Sequence, residues 1–100
     1  MTTDLNVDET FKKLQTHKGV KGILIINKNG SVIKSTFDND TSQQYSKLIL
    51  DLFPRASTLL KQNDEKDQVS FFRVRSQDND IMVSPDNDYF LMVVNQVKHE

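Results

Sequence analysis

The sequence predicts an α+β domain, a five-stranded antiparallel sheet with helices on both faces, in the order α-β-β-α-β-β-β. Residues 68–95 read as three closely spaced strands separated by polar turns. Residues 20–27 are almost continuously aliphatic and run into Asn29-Gly30. Residues 45–60 carry apolar side chains at three- and four-residue intervals, the period of an amphipathic helix. One hundred residues support one domain, read here as residues 1–100 with flexible ends at 1–5 and 96–100.

The first helix is expected to begin at Asn6, with Glu9 in an acidic first turn that complements the helix dipole. Val7, Phe11 and Leu14 share one face, and Gly19 is a natural stop. Lys12, Lys13, His17 and Lys18 gather at the negative end of this helix, where solvated cations favour the dipole without any bound ligand. Ile23, Leu24, Ile25 and Ile26 leave no polar face, which suits a central strand covered on both sides. Asn29-Gly30 supplies the positive φ of a tight hairpin, and Ser31–Phe37, of mixed polarity, returns at an outer position.

Thr41 and Gln44 have the spacing of a capping box for the long helix. Tyr45, Leu48, Ile49, Leu52, Phe53, Ala56, Leu59 and Leu60 form its stripe. A stripe so wide can serve the chain's own sheet alone, or that sheet and a second molecule. Pro54 removes one helical donor and crowds the preceding turn, at a cost of about 3 kcal/mol in a regular interior. A kink between Leu50 and Pro54, or two helical segments, is therefore expected.

The closing strands are read as Gln68–Arg75, Ile81–Ser84 and Tyr89–Asn95. The last is an unbroken apolar run and belongs in the centre. The first alternates charge and is an edge, with Val69, Phe71, Arg73 and Arg75 on one face. An unpaired, partly apolar edge calls for a partner strand, and a twofold copy of the same strand satisfies it.

Composition excludes much. Thirteen basic and fourteen acidic residues give a net charge of −1, which supplies no electrostatic reason to bind nucleic acid or an anionic membrane. There is no cysteine, hence no disulfide, thiolate metal site or cysteine nucleophile. The N-terminus lacks the basic and apolar blocks of a signal peptide and the glycine of a myristoylation site. No apolar run approaches the roughly 20 residues of a membrane span, so a soluble intracellular protein is expected.

His17 and His99 lie far apart in sequence without zinc-like spacing. Asp78-Asn79-Asp80 and Asp86-Asn87-Asp88 lack the glycine and distal glutamate of a calcium loop and read as turns. No phosphate-cradling loop, nucleophile elbow or catalytic set is present, so no enzyme, cofactor or metal is expected. Arg73 and Arg75 beside Phe71 and Phe72 could meet phosphates and bases. Edge-strand charges that deter wrong pairing, or that meet acids on a partner, explain them better.

Several segments are similar to the roadblock family of dynein light chains. They are Gly19–Ile23, Asn29-Gly30, Ile33–Thr36, Thr41–Tyr45, Phe71–Ser76 and, most specifically, Ile81–Leu91. The resemblance runs from about Phe11 to Asn95. It implies a twofold homodimer in which long helices pack together and edge strands join, corresponding here to residues 41–62 and 68–76. Tyr45, Leu48, Ile49, Leu52, Ala56, Val69, Phe71, Arg73 and Arg75 are the residues expected at that interface. The resemblance further implies a non-catalytic light chain that binds a dynein intermediate chain, in the cytoplasm on microtubules or in a cilium. Pairing with a paralogous light chain is compatible with it. Related domains of this fold also scaffold small GTPases, which is the alternative function. Pro54 departs from the family's regular helix.

Overall fold

Helical and strand periodicities divide the chain into seven elements in the expected order. A computed structural model describes residues 3–97. The elements are α1 (Thr3–Gln15), β1 (Val20–Asn27), β2 (Val32–Ser35), α2 (Asn39–Lys61), β3 (Phe72–Arg75), β4 (Asn79–Pro85) and β5 (Tyr89–Gln96). The strands form one antiparallel sheet in the order β2-β1-β5-β4-β3. The two aliphatic runs, β1 and β5, therefore lie inside the sheet, and the two strands of mixed polarity are its edges.

Alternation along each strand sorts the core into two layers. On one face Leu24, Ile26, Val83, Phe90, Met92 and Val94 meet Ile49 of α2. On the other Ile23 and Ile25 meet Val7 and Phe11 of α1, flanked by Leu91 and Tyr89. Ile23, Leu24 and Ile26 are completely shielded from solvent. Each such side chain contributes about 1.5–3 kcal/mol through burial.

Several boundaries differ from expectation. The α1 helix starts at Thr3, so Asn6 lies within it and is not its cap. Thr3–Leu5 are thus helical, and at the other end the Gln96 N–H donates to the Gly19 carbonyl at 2.8 Å. Residues 1, 2 and 98–100, with His99, lie outside the described residues. The β1–β2 connection has positive φ at Gly30 alone (+93°), not at Asn29. The Gly30 N–H closes a turn on the Asn27 carbonyl, and the Asn27 side chain accepts from the N–H groups of Asn29 and Ser31. That is a three-residue hairpin with glycine in the left-handed position.

The α2 helix is capped by Asp38, whose carboxylate accepts the Thr41 N–H at 2.7 Å, three residues before the expected cap. That backbone hydrogen bond holds the Asp38 carboxyl below its ordinary range. α2 then runs unbroken through Pro54 rather than as two segments. The proline stands on the exposed side, where water can satisfy the carbonyl it leaves without a partner.

The first closing strand is half the expected length. In the β3–β4 register Phe72 faces Val83, so residues 68–70 would face 85–87, where β4 ends at Pro85 and the chain turns. Gln68–Ser70 therefore have no partner strand, and Val69 lies in the loop before β3.

Candidate self-association and docking surface

The parity of β3 decides what its two sides can do. Phe72 and Val74 point to the α2 face, opposite Val83 and Ile81. The α2 helix does not cover them. Between it and the outer strands lies an open groove of about 160 Å³, lined by Tyr45, Leu48, Ile49, Leu52, Phe72, Val74, Ile81, Val83 and Met92. Val74 is 55 % exposed, Leu48 54 % and Leu52 42 %, an unusual concentration for a chain this small. Beside them runs the bare hydrogen-bonding edge of β3.

The expected interface residues thus separate. Tyr45, Leu48, Ile49 and Leu52 converge on the groove. Ala56 is half-buried one turn further along α2 and does not line it. Phe71, 52 % exposed, stands at the entrance to β3, while Val69 is half-buried in the loop. Arg73 and Arg75 belong to the opposite, α1 face, by strand alternation. Phe72, Val74, Ile81, Val83 and Met92 complete the groove and were not among the expected residues. Reading the even-numbered positions of residues 72–74 as the inward face would have found the first two.

On the α1 face, Arg73 makes a two-pronged ion pair with Asp80. Its Nε donates to Asp80 Oδ1 at 2.8 Å and its Nη2 to Oδ2. This hydrogen bonding lowers the Asp80 pKa and raises that of Arg73 further above its usual value. Arg75, opposite Asp80 in the register, makes no ion pair among the described residues. Lys21 reaches across from β1 to donate to Asn79 Oδ1 at 2.7 Å.

Chemistry is absent from the described surface. Among the described residues no group of three or more His, Asp or Glu side chains is arranged to hold a metal ion. No described helix is long and apolar enough to cross a membrane.

A sheet of this order between two helices, with one edge and one apolar groove left open, defines a roadblock-type domain. The Roadblock/LC7 domain family model matches residues 6–96, and the chain belongs to that family. Solved structures share the fold. A Roadblock/LC7 domain from Streptomyces avermitilis superposes with a TM-score of 0.76 at 16 % identity, covering 85 % of this chain and 73 % of that one. MglB of Myxococcus xanthus gives 0.71 at 14 % identity, over 88 % and 73 %. An MglB with a tetrameric arrangement gives 0.76 at 12 % identity, over 91 % and 71 %. Identities this low speak for the fold alone.

Proposed function

We propose that the chain is a non-catalytic, homodimeric adaptor whose partner is a small GTPase. The observation that carries the dimer is the coincidence of the bare β3 edge with the apolar groove beside it. A twofold copy answers both at once: β3 pairs with β3, and the α2 helices lay Leu48 and Leu52 into each other's grooves. Val74, Phe72 and Tyr45 then leave water. Self-association of an MglB of the same fold agrees with this reading.

For the partner, the similar structures given above are bacterial roadblock and MglB proteins rather than dynein subunits. With the fold's wider use as a GTPase scaffold, that favours the GTPase over the motor complex. Sedimentation at micromolar concentration is expected to show a dimer, and monomer alone would refute it. Recovery of a small GTPase from extract of the source cells, dependent on its nucleotide state, is the test of the partner.

One observation favours a second reading, a dynein light chain that binds intermediate chains in the cytoplasm or a cilium. The β4–β5 hairpin, Ile81–Leu91, carries the segment most similar to that subfamily. Mass spectrometry of the native complex separates the readings, since dynein subunits would appear only under the second.

A further inference from the structure

Strands lie about 4.8 Å apart and packed helices about 8–10 Å apart, so a helix on a sheet spans the width of two strands. The side chains packed under α1 come from β1 and β5. The next two strands, β4 and β3, therefore form a second helix-wide slot on the same face. Met82 and Val93, adjacent in the register and both partly exposed, are its floor. Arg73 and Arg75 form its outer margin.

The margin is basic. Arg73, Arg75 and Lys21 stand around it, and Asp80 answers Arg73, leaving Arg75 without an ion pair among the described residues. Asp78 sits in the β3–β4 turn at one end of the slot. An apolar floor beside uncompensated guanidinium suits a helix with an apolar stripe and a carboxylate flank. A basic or purely polar helix would leave Arg75 facing like charge or Met82 facing polar groups.

We propose that this slot docks an acidic amphipathic helix from a partner protein. The inference rests on the adaptor reading for the partner being a protein, whereas the slot itself is complete within one chain. In a β3-paired dimer two such slots lie side by side across the axis, each bounded outward by its own α1. A two-stranded partner could then bind both slots at once.

The test uses the full chain and a fluorescein-labelled helical peptide with leucine at i, i+3, i+4 and i+7 and glutamate flanks. A twin peptide carries lysine for glutamate. Fluorescence anisotropy is expected to show saturable binding of the glutamate peptide only. Arg75→Glu, with its fold checked by circular dichroism, should weaken that binding by about tenfold and admit the lysine peptide instead. No binding, equal binding of both peptides, indifference to Arg75→Glu, or tighter binding of a single-stranded oligonucleotide would each overturn the proposal. Sedimentation of the same samples keeps the two readings apart. A protein that dimerises but ignores the peptide sinks this inference alone, and one that binds the peptide as a monomer sinks only the homodimer.

Discussion

The two edges of the sheet are equal in length and opposite in treatment. Around β2, polar side chains fasten the edge to both helices. Ser35 and Ser42 share a hydrogen bond of 2.7 Å, the Phe37 N–H donates to Ser35 Oγ at 3.0 Å, and Lys34 meets Asp8 of α1 at 2.9 Å. The buried Ser46 hydroxyl donates to the Gly30 carbonyl at 2.5 Å. Around β3 nothing comparable ties edge to helix, and the apolar side chains of both are left facing an open groove. Thus one edge is completed within the chain and the other is left for a second molecule.

Substitutions can break this contrast from either side. The largest effect is expected at Val74→Asp, which puts a carboxylate into a dimer contact while leaving a lone chain's exposed site tolerable. The dimer dissociation constant should rise at least about 100-fold, measured by sedimentation, with the melting temperature at low concentration little changed. An unchanged dimer would show that β3 is not its seam.

Gly30→Ala tests the closed edge. A Cβ there meets Leu50 Cδ1 at 2.7 Å on a backbone with φ of +93°, so a loss of about 1–3 kcal/mol is expected by urea unfolding. Ser46→Ala, which orphans the Gly30 carbonyl, should cost about 1 kcal/mol and leave association untouched. Weakened dimerisation in either variant would mean that the two edges are coupled.

The smallest effect concerns acid. The carboxyl groups of Asp38 and Asp80 are more acidic in the folded chain than unfolded, so protonation favours unfolding. Their contribution is complete above the ordinary carboxylate value of about 4 and is lost as pH falls through the lower folded values. Stability should therefore be indifferent to these groups between pH 5 and 8. Asp38→Asn, still a good cap, should flatten the acid limb of a thermal pH series without lowering the neutral melting temperature.

Element order, both interior strands and the identity of the open edge were legible because each rests on periodicity or on a run of one kind of residue. What could not be read depends on where the chain's other parts end. Val69 looks like a strand residue, but the opposing strand stops at Pro85 and leaves it unpaired. Asp38 and Thr41 offer equivalent caps locally, and the choice fell to Asp38 because the helix begins as soon as Phe37 is anchored by Ser35 and Tyr45. Of the expected interface, the α2 residues were found from their stripe. The arginines were misplaced because the seam was imagined as one surface, whereas a strand has two.

That the groove is lined almost wholly by hydrocarbon gives the molecule a thermometer. Association there should carry a large negative heat capacity and loosen on cooling, with little response to added salt. Docking against Arg75 should do the reverse, fading as ionic strength rises and changing little with temperature. A cold, salt-free solution and a warm, salty one would thus hold the same chain in opposite states of occupancy.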